Sequence, residues 1–450
     1  MKQHELTRRQ FIAAASASSL AAVASNPIST YAASRSAGKL AILGGEPIRK
    51  NKHWPAWPYI DDQVLDSVVK TTKSGIWCRI QSASGTVATF EKEYAKLLGA
   101  RFCVAVGSGT QALHTCVEAL GIGPGDEVIT SPYTDPGTIA SILSARALPV
   151  LADLDTASFQ LDPADVEKKI TENTRAIMPV HMMGQPCHLE RIMEIAKKRN
   201  LFVIEDAAQA HLSECQGKKL GTIAPLGCFS FQTSKTIACG EGGAIVGDNE
   251  ELMDKCYTVQ NHGTNRRGRT ETIGPKYRMN EFEAAILLPQ LTGAQERFHR
   301  RNENAAYLTE KLKGCPGIAP QKLYPGTKSG SFYIYAMSYK KEHFNNVERS
   351  RFIKAVAAEG VDLSPYIAQG LHREPWVANI VKSKGYQQAY SSKRLQEFRD
   401  QMVCPNCDRV CQELVMVWAS GPLLGTRADM DDIADAILKV YENRDKLAGV

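Results

Sequence analysis

Between residues 102 and 246 the chain alternates short apolar runs with helix-period segments, and that alternation leaves few folds open. The runs 102–106, 127–130, 149–153, 176–180, 201–205, 228–231 and 244–246 read as strands, and the patterns 111–120, 138–145, 163–170 and 189–199 read as helices between them. Strands joined by helical crossovers lie parallel and are covered on both faces, so they are apolar throughout. The prediction is an α/β fold: a large domain with a mostly parallel seven-stranded sheet. The pattern then changes. A long helical region at about 281–313 leads into 331–338, a helix at 349–359 and a terminal helix at 430–442, which reads as a smaller C-terminal α+β domain. The expected division is 1–33, 34–290 and 291–450.

The first 33 residues read as an export signal, with Thr7-Arg8-Arg9-Gln10-Phe11-Ile12 before a small apolar run from Ala13 to Ala24 and cleavage positions near Ala24 or Ala32. Paired arginines before Phe resemble a twin-arginine signal, which implies a folded protein delivered to the periplasm; the alternative is a cytoplasmic tail. The run is too short to span a bilayer permanently, and no other stretch approaches that length. The net charge of +6 falls to about +4 without this leader, a mild, spread balance that gives no reason to expect a nucleic-acid partner. Twelve cysteines are scattered over a long chain instead of forming a small disulfide scaffold, so most read as buried thiols. Cys404, Cys407 and Cys411 have a metal-like spacing but no local fourth ligand, and on a helix they mark one apolar face. No metal site is expected.

The chemistry concentrates in three places. Gly107-Ser108-Gly109-Thr110 follows a predicted strand and opens a predicted helix, a placement in which unpaired N–H groups and the helix dipole receive an anion. Gly107, Gly109 and Ala112 also satisfy a dinucleotide spacing, with Asp126 and Glu127 downstream for a ribose, so that reading stays open on this motif alone. Asp206 follows Leu201-Phe202-Val203-Ile204-Glu205 and falls at the carboxyl end of a central strand, where such sheets place ligands. Lys235 stands beyond Phe229-Ser230-Phe231, just before Gly240-Glu241-Gly242-Gly243. An amine at the mouth of a small-residue loop, an acid for a protonated pyridine nitrogen and a phosphate cradle are together what a pyridoxal phosphate (PLP) Schiff-base site requires. Gln209, three residues past Asp206, is in reach of the ring's 3-hydroxyl if that segment turns helically.

These residues resemble the DegT/DnrJ/EryC1/StrS family, the sugar and cyclitol aminotransferases of PLP fold type I. The resemblance runs from about Ile42 to the C-terminus. It rests on Ser108-Gly109-Thr110-Gln111-Ala112-Leu113-His114, Gly123-Pro124-Gly125-Asp126-Glu127-Val128, Pro179-Val180-His181-Met182-Met183-Gly184-Gln185-Pro186, Glu205-Asp206-Ala207-Ala208-Gln209-Ala210-His211, Ser230 with Lys235, Asn261-His262-Gly263 and Tyr277-Arg278-Met279-Asn280-Glu281. It implies that Lys235 forms the Schiff base, Asp206 holds the pyridinium, Gln209 meets the 3-hydroxyl, and Gly109, Thr110 and Ser230 bind phosphate. It further implies that Arg278 reaches the phosphate of a neighbouring subunit, so that a homodimer shares its active sites.

One departure is visible. The family's stacking aromatic falls in Ser131-Pro132-Tyr133-Thr134-Asp135-Pro136-Gly137-Thr138 at Asp135, so either Tyr133 takes over or the ring is held differently. His181 and His211 lie on the expected substrate side, with structural roles equally open. The implied activity is transfer of an amino group from glutamate or glutamine to a keto-sugar or keto-cyclitol. The alternatives are a dinucleotide oxidoreductase, which leaves Asp206, Ser230 and Lys235 unused, a PLP-dependent dehydratase, and a non-catalytic PLP-fold binding protein. In dehydratase relatives histidine replaces the lysine that this chain retains.

Overall fold

Seven strands form one sheet in the computed structural model, which describes residues 38–449; the expected leader lies outside them. The strands are β1 (Phe102–Val106), β2 (Glu127–Thr130), β3 (Leu148–Leu151), β4 (Thr174–Ile177), β5 (Phe202–Asp206), β6 (Leu226–Ser230) and β7 (Gly243–Gly247), in the order β1-β7-β6-β5-β4-β2-β3. All neighbours are parallel except β7, which runs antiparallel to both β1 and β6. Nearly every residue of β1, β2, β3, β6 and β7 is buried, as a sheet covered on both faces requires.

Helices α1 (Asp62–Ser74) and α2 (Thr86–Leu98) precede the sheet; α3 (Gly109–Ala119), α4 (Pro136–Ser144), α5 (Pro163–Lys169) and α6 (Leu189–Arg199) connect strands, and α7 (Glu250–Gln260) follows β7. Their starts are written in side chains: Asp61, Ser108, Asp135, Asp162 and Asn249 each accept a backbone N–H at the N-cap, with Pro136 and Pro163 at the first helical position. The expected helical region 281–313 is two helices, α8 (Glu281–Thr292) and α9 (Ala294–Leu312), parted at Gly293.

Beyond α9 the chain divides. A three-stranded antiparallel sheet of β8 (Ile318–Pro320), β9 (Ile334–Tyr339) and β10 (Leu414–Trp418) packs with α9, α10 (Arg349–Ala358) and α15 (Arg427–Glu442) around Tyr335, Met337, Phe344, Phe352 and Val415. The intervening helices α11 (Trp376–Lys382), α12 (Lys384–Ala389), α13 (Ser392–Asp400) and α14 (Pro405–Glu413) rest instead against the β2–β3 side of the large sheet, where the Tyr386 hydroxyl donates to the carbonyls of Leu143 and Ala147 and the Asn406 amide donates to Asp153. Cys404, Cys407 and Cys411 face into that contact as buried thiols, and no cluster suited to a metal occurs among the described residues.

The lead segment, expected with the large domain, instead packs over residues 40–54 on the small one. Leu40 enters its core, and the Arg49 guanidinium pairs with Asp429 and Asp432 of α15 at 2.7 and 2.9 Å while lying on the Trp54 ring. No helix among the described residues is long and apolar enough to cross a membrane.

Candidate active site

A cavity of about 370 Å³ opens at the carboxyl ends of β5 and β6. Asp206, Gly109, Thr110, Gln209, Ser230 and Lys235 all line it, so most of the residues expected from sequence converge on one space.

Strand alternation sets its floor. Glu205 and Asp206 are consecutive and therefore point to opposite faces. The buried Glu205 carboxylate accepts from the amides of Gly221, Ile223 and Ala224 at 2.6–2.8 Å and from His181 Nε2 at 3.0 Å, which ties off the back of the sheet. The Cys187 amide meets His181 Nδ1 at 3.2 Å, so both ring nitrogens are engaged on this face. His181 is thus a supporting residue. Asp206, 3% exposed, faces the cavity; one oxygen accepts from the Thr138 hydroxyl at 2.8 Å and the other from the Ala208 amide at 3.2 Å. Burial pushes its acid up, while those donors and the charge of Lys235 pull the other way.

The opposite end is a helix start. Ser108 caps α3 by accepting from the Gln111 amide, and the amides of Gly109 and Thr110 precede the point at which intrahelical bonding begins. Ser230 closes on them from β6: a Cβ added at Gly109 would lie 2.8 Å from the Ser230 Cβ, so only glycine permits this approach. Ser230 is fixed from behind by His211, whose Nε2 donates to the Ser230 carbonyl at 2.8 Å while Nδ1 accepts from the Tyr94 hydroxyl at 2.8 Å. Burial pulls His211 down to about 3 and keeps the ring neutral, as both bonds need. His211 is a pillar of the anion cradle and does not line the cavity.

Lys235 stands between the two ends, 9% exposed, with Nζ 4.3 Å from the centroid of the Tyr333 ring. Burial pulls its pKa down; the charges of Asp206 and Asp135 oppose that shift. It is the sole basic side chain among the described residues lining the cavity. Tyr333, Tyr366 and Trp418 form a wall from the small domain, edge to face at 5.5–6.5 Å between centroids. The sequence reading did not find these three, nor Thr138. Only Thr138 left a local trace, three residues past the Asp135 cap, since the aromatics lie some hundred residues or more downstream of Lys235.

Of three further expected residues, Tyr133 lies away from its assigned role, while Gln209 and Arg278 hold positions that their assigned roles allow. Gln209 lines the cavity, but its Oε1 accepts from the Met183 amide and its Nε2 donates to the Tyr366 hydroxyl, leaving one N–H for a ligand. Tyr133 is fully buried behind the wall, off the cavity lining, with a hydroxyl that has no partner among the described residues. It sits in an apolar cluster with its ring centroid 6.3 Å from that of Tyr366, so it does not present a ring to the cavity. Arg278 bridges to Val106 beside the glycine turn; its Nη1 donates to Asn261 at 2.9 Å, its Nε has no partner among the described residues, and it does not line the cavity of its own chain.

The donor set fits PLP: an acid at one end for the ring nitrogen, a helix N-terminus with two hydroxyls for the phosphate, and an amine between. It does not fit a dinucleotide, because Asp126 is engaged by Gly123 and Arg175 and Glu127 by Arg394 and Thr171, all away from the cavity.

Comparisons agree with this geometry. The model of the DegT/DnrJ/EryC1/StrS aminotransferase family matches residues 58–414. The chain is 32% identical to an L-glutamine:2-deoxy-scyllo-inosose aminotransferase of Streptoalloteichus tenebrarius, over 91% of this chain and 99% of that one. It is also 32% identical to an L-glutamine:scyllo-inosose aminotransferase of Streptomyces griseus, over 90% and 98%. Among solved structures, 3-amino-5-hydroxybenzoic acid synthase superposes with a TM-score of 0.74 at 27% identity, covering 88% of this chain and 100% of that one.

The Gly109 contact carries a prediction. Gly109→Ala is expected to weaken PLP binding at least about tenfold, because a displaced helix start misplaces the phosphate donors. An absorbance titration of the variant with PLP reads this; affinity equal to the parent's would show that the cradle lies elsewhere.

Proposed function

The chain belongs to the DegT/DnrJ/EryC1/StrS aminotransferase family, and from that membership we propose that it moves the amino group of glutamine onto the ketone of a cyclitol. The observation that carries this reading is the convergence of Lys235, Asp206 and the Gly109–Thr110–Ser230 cradle on one cavity. The glutamine and keto-cyclitol assignments draw support from the two relatives named above. When bound, PLP supplies an aldehyde that condenses with amines and a ring that accepts an electron pair from the donor's α-carbon.

The chain's own residues do the rest. Gly109, Thr110 and Ser230 bind the phosphate, and Asp206 holds the proton on the ring nitrogen. Lys235 takes the proton from the donor's α-carbon and, in the second half-reaction, returns one to the acceptor carbon. Burial favours its neutral form, which a base requires. The wall of Tyr333, Tyr366 and Trp418 shields that transfer from water and offers flat apolar faces and hydroxyls to a polyhydroxylated ring. A dehydratase or a non-catalytic binding protein finds no comparable support, since the relatives named above are aminotransferases and this chain retains the lysine.

A homodimer with shared sites is part of this proposal. Its supports are the half-buried Arg278, set beside but not in its own cavity, and the exposed apolar run of Ile60, Leu65, Val69, Trp77 and Ile80 around α1. Export through the residue 1–33 leader is likewise proposed, on the Arg8-Arg9 pair and the apolar run behind it.

Four measurements test these readings. Purified protein with PLP, glutamine and a keto-inositol is expected to yield an amino-cyclitol and a 2-oxo acid by mass spectrometry, with kcat rising with pH through an ionisation below the ordinary lysine value of about 10.4. Lys235→Ala is expected to lose at least about 10³-fold in kcat and the borohydride-trapped adduct; a bound chromophore without an amino product would leave a binding protein. Mixing inactive Lys235→Ala with Arg278→Ala subunits is expected to restore about a quarter of the parent activity, because half of randomly paired dimers carry one intact site; no restoration would rule out sharing. Replacing Arg8 and Arg9 with lysine is expected to hold the protein in the cytoplasmic fraction, and an unchanged distribution would end the export reading.

A further inference from the structure

The loop that carries Lys235 hangs from side chains outside the large sheet. Its N–H groups are met within the loop: Thr233 donates to the Gly240 carbonyl and Lys235 to the Gln232 carbonyl. Its carbonyls turn outward. Trp57 Nε1 donates to the carbonyls of Thr233 and Lys235 at 3.2 and 3.1 Å, and the Ser420 hydroxyl donates to the Ser234 carbonyl at 2.9 Å. Three consecutive carbonyls, ending at the lysine itself, are therefore held by two side chains.

Those two side chains belong to one body. Trp57 closes the lead segment that Arg49 fixes to α15, and Ser420 follows β10 of the small domain. Arg301 of α9 joins them, its guanidinium 5.0 Å from the Trp57 ring centroid and its Nη2 donating to the Ser420 carbonyl at 3.2 Å. Arg301 is 2% exposed and has no carboxylate within salt-bridge distance among the described residues, so the ring face and the carbonyl stand in for the usual counter-charge. The family match begins at residue 58, one position past Trp57.

We propose that Trp57 and Ser420, braced by Arg301, are positioning residues that set the height of Lys235 in the cavity. Neither lines the cavity, so they act only through the lysine loop. The same body carries the Tyr333, Tyr366 and Trp418 wall, so the fit of an acceptor against that wall and the reach of Lys235 are mechanically linked. The role in turnover rests on the aminotransferase reading; the role in placing the amine does not.

The test uses the full-length protein with and without PLP. In the PLP-free protein, acylation of Lys235 by acetic anhydride, read by peptide mass spectrometry against exposed Lys393, is expected to be about tenfold faster in Trp57→Phe than in the parent. This change removes the N–H and keeps a ring over Arg301. With PLP, kcat is expected to fall about tenfold with the KM for glutamine within about twofold, the signature of a misplaced base instead of a lost binding contact. Ser420→Ala is expected to move both readings the same way, and covers the case in which Trp57→Phe does not fold. Labelling of Lys235 at the parental rate in whichever variants fold would overturn the clamp, whatever happened to the melting temperature. Faster labelling in the variants of a protein that never turns over glutamine would uphold the clamp and overturn the aminotransferase reading.

Discussion

Asp206 and Lys235 are both withdrawn from water into one cavity, and the rest of the site exists to make that double burial tolerable. Each group alone resists charging in such a place; each offers the other a counter-charge that eases it. The arrangement works because neighbouring polar groups are already spoken for. Glu205, next in the strand, spends its charge on three amides and His181, so it does not compete for the lysine. His211 is held neutral between Tyr94 and the Ser230 carbonyl, so no third charge stands behind the anion cradle.

Labour is divided between the two bodies. The large sheet supplies what must be rigid: an acid at the end of β5 and a helix start whose approach to β6 is close enough to require glycine at 109. The small domain and the lead segment supply an aromatic wall and the donors that suspend the lysine loop. Gln209 ties the two together, since its amide bonds the Met183 backbone on one side and the Tyr366 hydroxyl on the other.

What sequence exposed, and what it hid, follows from the range of the interactions. The strands, the α3 start and the order Asp206, Ser230, Lys235 were legible because each is a local pattern: an apolar run, a glycine turn, a polar residue where the run stops. Some helix ends moved by one to three residues while 189–199 held at both, and 281–313 split at Gly293, since caps and breaks are set by single side chains. The helix α2 and the packing of α11 to α14 on the large sheet were not legible; the latter depends on contacts such as Tyr386 with Leu143, more than 200 residues apart. The aromatic wall and Trp57 were hidden for the same reason. Nothing around Trp57 marks it as a partner of a lysine 178 positions away.

The departure at Asp135 has a physical reason in the turn it begins. Its carboxylate accepts from the Gly137 amide and caps α4, with Pro136 preset for the first helical position. Gly137 sits so close to the Thr110 hydroxyl that a Cβ would overlap it, and one residue further Thr138 reaches Asp206. A start to α4 at this residue is therefore what delivers the donor that steadies Asp206. An aromatic ring at 135 would forfeit a cap worth about 1 kcal/mol and loosen that delivery. The same carboxylate faces the amine across the cavity and raises the lysine pKa against the effect of burial. Capping and charge, not stacking, are the work of this slot, and with Tyr133 locked behind the wall the aromatic surface of the cavity has passed to Tyr333, Tyr366 and Trp418.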